Sequence, residues 1–239
     1  MSNQAPPLRR VDTATDRADA MPLELFAHPF SSYSQKVLIA LYEHGTPFTL
    51  RLLDQAAPAN LQELARRWPI QRFPLLVDGA RQWMEASVII EYLQLAHPGP
   101  TRLIPDDPMT ALEVRLLDRF FDNYISTPQQ AIVFDSLREA GTHDALGVEK
   151  ARAQLETAYI WLEGYLQGRT WAVADAFSLA DCGAAPFLFY ADWTCAIAPR
   201  FTRVHAYRAR LLARPSVRRA VDEARPYRHY FPLGAPDRD

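Results

Sequence analysis

Leu23-Glu24-Leu25-Phe26-Ala27-His28-Pro29-Phe30-Ser31-Ser32-Tyr33-Ser34-Gln35-Lys36-Val37 is the stretch on which the fold turns. Its first five residues alternate and include an aromatic ring, the pattern of a short strand. His28 to Ser31 reads as a loop. Ser32 and Gln35 then stand at capping-box spacing, which predicts a helix with Ser32 as N-cap and Gln35 at N3. Val37, Leu38 and Leu41 form its apolar stripe; Gly45 supplies a stop and Pro47 bars continuation. Three serines, Ser31, Ser32 and Ser34, gather where the helix begins.

Further along, Phe48 to Leu53 reads as a second strand and Leu61 to Trp68 as a short helix ended by Pro69. Leu75-Leu76-Val77, the turn Asp78-Gly79-Ala80 and Arg81-Gln82-Trp83 predict a hairpin. Val88, Ile89, Tyr92 and Leu93 stripe one more helix, from about Ala86 to Ala96. The order β-α-β-α-β-β-α implies a parallel pair within a βαβ unit and an antiparallel edge. Proline and glycine then cluster at His97-Pro98-Gly99-Pro100 and Pro105-Asp106-Asp107-Pro108, a natural boundary. Beyond it there is no strand signal. Leu112, Leu116 and Phe120 repeat every four residues, as do Ala151, Leu155 and Tyr159, with Leu162 and Leu166 completing that face. Two long antiparallel helices are expected, the first kinked or ended by Pro128. Ser178-Leu179-Ala180-Asp181 caps another helix, and two more cover about Phe201 to Leu212 and Ser216 to Arg225.

Of the 239 residues, 49% are hydrophobic and 23% charged, enough for a full core. A net charge of -2 leaves no electrostatic footprint for nucleic acid or an acidic membrane surface, and neither is expected as a partner. The arginines between Arg200 and Arg225 alternate with apolar residues at helical spacing and read as a solvated face. Cys182 and Cys195 form no CxxC pair, so thiol–disulfide exchange by the chain's own cysteines is not expected, and a reducing compartment is. No apolar run is long enough to span a bilayer. Residues 1–20 lack an apolar h-region and read as a disordered leader. Six scattered histidines lack ligand spacing, so no metal is expected.

The element order, the boundary near residue 100 and four motifs together resemble the soluble glutathione transferase family, over roughly Leu23 to Tyr230. Pro29 to Val37 is similar to the catalytic loop of the serine-type classes (zeta, tau and bacterial relatives). Arg72-Phe73-Pro74-Leu75-Leu76-Val77-Asp78-Gly79 is similar to the family's segment around a cis-proline. Glu85-Ala86-Ser87-Val88-Ile89-Ile90-Glu91-Tyr92-Leu93 resembles the family's Glu-Ser-x-x-Ile-x-x-Tyr-Leu, and the fourth motif is the Ser178 to Asp181 box. The resemblance implies an α/β thioredoxin-like N-terminal domain at residues 21–98, a linker at 99–108 and an all-α helical C-terminal domain at 109–239. It also implies a cytoplasmic homodimer with glutathione as co-substrate.

Glutathione's thiol attacks as the thiolate, and near neutrality only a few per cent of a thiol with a pKa of about 8.5 is ionised. A hydroxyl at a helix N-terminus stabilises the anion twice, by its hydrogen bond and through the helix dipole. Ser31 is favoured for that role because Ser32, as N-cap, would be committed to the backbone; Ser32 is the second candidate. Tyr33, in the first helical turn, reads as packing. The resemblance makes the Phe73–Pro74 bond cis, offers the Phe73 backbone to the cysteinyl part of glutathione, and brings Arg72 towards the glycyl carboxylate, with Gln71 and Lys36 as weaker candidates. It assigns Glu85 to the α-ammonium and the start of the following helix to the γ-glutamyl carboxylate. There the sequence departs from the family: Ala86 stands where a serine is usual, and Ser87 comes one place late, about 100° around the helix. A hydrophobic electrophile is expected between Phe30, Phe120 and Tyr124, with Tyr227, Tyr230 and Phe231 as further candidates. Asp181 reads as structural. The reaction is conjugation, ether cleavage or isomerisation; the alternative is a non-enzymatic regulatory or assembly module on the same fold.

Overall fold

A computed structural model describes residues 22–239; the leader expected at residues 1–20 lies outside them. Strand β1 (Leu23–Ala27) leads through the serine loop to helix α1 (Ser32–His44) and strand β2 (Phe48–Leu52). Helix α2 (Pro58–Arg67), the hairpin β3 (Leu75–Asp78) and β4 (Arg81–Trp83), and helix α3 (Ala86–Ala96) complete the α/β part. The sheet order is β2-β1-β3-β4. β1 and β2 are parallel in the register Leu23↔Phe48 to Ala27↔Leu52, while β3 runs antiparallel to both β1 and β4. Side chains alternate across the sheet. Leu23, Leu25, Ala27 and Leu76 pack with α1 and α3, whereas Phe26, Leu75 and Val77 face Leu64 of α2.

The remaining regular elements among the described residues are helical: α4 (Pro108–Phe120), a π-helical turn (Phe121–Ser126), α5 (Thr127–Ser136), α6 (Ala145–Tyr165), α7 (Leu179–Thr194), α8 (Thr202–Ala213), α9 (Pro215–Ala224) and a 3-10 turn (Arg225–Tyr230). The core of α1 and α3 runs without a break into that of the helical part. Helix α7 is apolar around its circumference and every one of its residues is buried, as expected of a central helix. Asp181 accepts from Ser178, the Ala172 N–H and the Tyr207 hydroxyl, which fixes it as a structural anchor.

Three expectations are corrected. The stripe of Leu112 and Leu116 faces outward, 57% and 63% exposed; the buried face of α4 is Ala111, Val114, Leu117 and Asp118. Pro128 does not end the helix. It has no N–H to donate, and the wider π turn immediately before it carries the chain into α5. The arginine-rich segment is also not wholly a solvated face: Arg208 is buried beside Asp192, and Arg214 grips Glu43 through two bonds of 2.7 Å.

Candidate functional site

Ser31, rather than Ser32, is the N-cap of α1. Its backbone is extended (φ -82°, ψ 127°) and its Oγ accepts from the Ser34 N–H at 3.3 Å. The N-cap therefore falls one residue earlier than expected, Ser34 rather than Gln35 stands at N3, and Gln35 has another task. Its Nε2 donates to the Pro29 carbonyl (2.9 Å) and to the Tyr190 hydroxyl (3.0 Å), which itself donates to the Phe30 carbonyl (2.9 Å). The Ser31 N–H donates to the His28 carbonyl. Three successive carbonyls of the loop are thus held, one of them by a side chain from α7, and Ser31 is presented on a fixed backbone. A hydroxyl that accepts a capping bond keeps its own proton, so capping does not remove Ser31 as a donor.

Ser31 opens on a cavity of about 500 Å³. One wall is Trp68, Gln71, Arg72, Phe73 and Pro74; the floor is Met84, Glu85 and Ala86; the helical part contributes Asp122, Gln130 and Phe134, with Tyr33 from α1. The Phe73–Pro74 peptide bond is cis. Helix α3 points its N-terminus into this space. Its N-cap is Glu85, at φ 65° and ψ 112°, and no side chain caps its first turn. A positive φ at a residue other than glycine is held against the chain's own preference, and such residues gather at binding sites. Gln71, at φ 56°, is a second one in the same wall.

Behind the mouth of α3 lies a buried polar cluster. Lys36, fully buried on α1, bonds the Asp118 carboxylate of α4 and the Ser87 hydroxyl (2.9 Å), and Ser87 donates to Asp118 Oδ2 (2.7 Å). Burial works to raise the Asp118 pKa, but the Lys36 charge and the bonds it receives hold the carboxyl below the usual carboxylate range.

A model of the glutathione S-transferase N-terminal domain matches residues 25–101, and one of the C-terminal domain matches residues 134–210. The chain carries both glutathione S-transferase domains. It is 28% identical over 167 residues to the stringent starvation protein A homolog of Coxiella burnetii, covering 70% of this chain and 75% of that one. It is 28% identical over 160 residues to a glutathione S-transferase of Pseudomonas putida, covering 66% and 70%. The crystal structure of a glutathione S-transferase from Methylobacterium radiotolerans in complex with glutathione sulfonate matches with a TM-score of 0.72 at 29% identity, over 83% of this chain and 94% of that one.

Against this glutathione S-transferase frame, the fold brings together Ser31, Arg72, Phe73, Pro74, Glu85 and Ala86 around one cavity. Ser32 is not in its wall, and neither are Ser87 and Lys36, which are spent on Asp118. Phe120 and Tyr124 do not line it either: Phe120 packs on Trp161 at 4.4 Å, and Tyr124 is exposed. Phe30 faces a second cavity, of about 390 Å³, whose wall also holds His28, Asp54 and Tyr230; Ser31 and Phe73 border both cavities. Tyr227 stands edge-on to His28, and Phe231 is buried against Trp193. Asp122, Gln130 and Phe134 have no place in the sequence reading, and Tyr33, read there as packing, lines the cavity and bonds Asp122. The signal was present: Asp122, Ser126, Gln130 and Phe134 recur every four residues, beside the apolar stripe that was followed instead.

Proposed function

We propose that the chain is a serine-type glutathione transferase: the Ser31 hydroxyl and the N-terminus of α1 stabilise the thiolate of glutathione, which attacks a small electrophile. One observation carries this reading. The hydroxyl at the mouth of α1 opens on the same cavity as the cis Phe73–Pro74 segment and the uncapped mouth of α3. The unfilled N–H groups of α3 suit the γ-glutamyl carboxylate, Glu85 its ammonium, the Phe73 backbone the cysteinyl part and Arg72 the glycyl carboxylate. Titrating the thiolate absorbance of the glutathione complex against pH tests the assignment. Ser31→Ala should raise the bound thiol's pKa and cut turnover by about one to three decades, the scale of losing one preorganised donor. An unchanged titration, with a shift in Ser32→Ala instead, would move the role to Ser32.

A homodimer belongs to the same proposal. Leu112 and Leu116 on α4 and Val88 and Leu95 on α3 are exposed around the Arg115–Glu91 ion pair, an apolar face that a second copy would cover. Light scattering at micromolar concentration should give twice 27.2 kDa; the monomer mass would refute it. Cys182 and Cys195 are both free, which suits a reducing, cytoplasmic setting. A second reading, a non-enzymatic regulatory or assembly module, draws on Ala86 and on relatives whose names state no transfer reaction. Failure of the wild-type chain to bind glutathione would favour it.

A further inference from the structure

The wall opposite the Phe73–Pro74 segment is polar. Asp122, Ser126 and Gln130 stand at four-residue spacing along the π turn and the start of α5, and Tyr33 of α1 leans on them. Their hydrogen bonds run in one direction. Gln130 Nε2 donates to Ser126 Oγ (2.7 Å), Ser126 to the Tyr33 hydroxyl (3.4 Å), and Tyr33 to the Asp122 carboxylate. Arg119 pairs with the other carboxylate oxygen at 2.8 Å. Burial, and then the bond to Asp122, push the Tyr33 phenol up to about 12, so near neutrality it remains a donor to Asp122.

This chain of bonds leaves acceptors towards the cavity. A carboxylate has about four lone-pair sites, and Tyr33 and Arg119 use two of those on Asp122. Ser126 takes one of the two N–H groups of the Gln130 amide, and the amide's carbonyl oxygen remains an acceptor beside the cavity that Gln130 lines. An apolar group placed here would strip water from both acceptors and leave each without a partner. A hydroxyl or amine would satisfy them. The phenyl side chain of Phe134, also in the lining, offers an apolar surface to a short carbon skeleton.

We propose that the second substrate is a polar electrophile, one carrying a hydroxyl or amino group that donates to Asp122 and Gln130, in place of the purely hydrophobic electrophile that the sequence implies. The inference rests on the reading that glutathione occupies this cavity with its sulfur at Ser31. For an epoxide, the thiolate sulfur bonds to the terminal carbon, the carbon–oxygen bond breaks, and the alkoxide takes a proton from water.

A matched pair of probes decides the matter: glycidol and 1,2-epoxybutane, which differ by hydroxyl against methyl. Each rate is divided by its uncatalysed rate with glutathione. The wild-type chain should favour glycidol at least tenfold in kcat/KM, and Gln130→Leu and Asp122→Asn should each bring the ratio towards one. Calorimetric affinity for glutathione should stay within about twofold in both variants. Equal corrected rates in the wild type would overturn the proposal while leaving the glutathione reading intact. A large loss of glutathione affinity in Asp122→Asn with the epoxide preference unchanged would do so too, by assigning Asp122 to glutathione. Failure of the wild type to bind glutathione would overturn the site reading and this proposal together. Because Asp122→Asn also removes a partner of Arg119, Gln130→Leu serves as the variant whose fold is least at risk.

Discussion

Two helices, α1 and α3, open on the same cavity, and they are finished in opposite ways. The mouth of α1 is complete in itself. Ser31 caps it, and Gln35 and Tyr190 hold the loop before it. The mouth of α3 has no side-chain cap and starts at a residue with positive φ, and it is held from behind, by Ser87 bonded to Lys36, Asp118 and Arg119. A helix that satisfies its own first turn has a hydroxyl proton to lend; one that does not has N–H groups to give to a carboxylate. The first end suits a thiolate and the second the amino-acid end of a peptide. The second also depends on a domain boundary, because Asp118 belongs to α4.

The largest expected effect follows from that dependence. Asp118→Ala leaves Lys36 charged, buried and without its carboxylate, which costs about 3–5 kcal/mol. Denaturant unfolding measures it, and a loss under 1 kcal/mol would show that the pair is dispensable. Asp118→Asn adds a pH signature. The Asp118 carboxyl is held below its ordinary pKa, so the stability it contributes is complete above about pH 4 and disappears as pH falls through the lowered native value. Wild type and Asp118→Asn should differ at neutral pH and converge in acid. Curves that stay parallel would place the stabilisation elsewhere.

The α1 mouth is separated into its two duties by changing the chemistry of its cap. Ser31→Asp keeps an N-cap, so stability should stay within about 0.5 kcal/mol of wild type, whereas Ser31→Ala loses about 0.5–2 kcal/mol. An ionised carboxylate has no proton to donate and repels a thiolate. Ser31→Asp should therefore lose at least as much turnover as Ser31→Ala, about two to three decades, although it folds better. Steady-state kinetics beside thermal unfolding of the two variants provide the check. Activity that tracks stability in both would reduce Ser31 to a cap.

How much of this was legible depended on the range of the interaction. The strand, the loop and the α1 helix are local, and their pattern placed them within a residue. The one-residue error in the cap arose because Ser31 and Ser32 have the same chemistry, and only the backbone angles distinguish them. The cis bond at Pro74 was reachable through resemblance; the positive φ of Glu85 was not, since nothing in its side chain calls for it. The α4 stripe misled for a different reason. Leu112 and Leu116 have the spacing of a core face but lie outward, because periodicity reports that a helix has an apolar side and is silent on what covers it. The polar wall keeps a four-residue spacing through the π turn, but that spacing does not say that a cavity lies beside it. Lys36 and Tyr190 act across long sequence separations, which no local pattern reports.

The smallest expected effect is at Ala86, and it tests the uncapped end of α3 directly. Ala86 lines the cavity, and its methyl gives nothing to a carboxylate there. Ala86→Ser adds one hydroxyl beside the N–H groups of the first turn. A hydrogen bond to a charged group is worth about 1.5–3 kcal/mol, of which restraining the new side chain takes a share. Glutathione should therefore bind up to roughly tenfold more tightly. The helix should accept the change, because serine is well tolerated at a helix start. Ser87→Ala is the control for register. Its hydroxyl belongs to Asp118 and Lys36, so glutathione affinity should change by less than about twofold while stability falls by about 1–3 kcal/mol for the lost buried bonds. Titration calorimetry on the three proteins reads both effects. If Ser87→Ala abolished binding and Ala86→Ser did nothing, the carboxylate would sit one residue further along, and the mouth of α3 would not be the open end that its geometry describes.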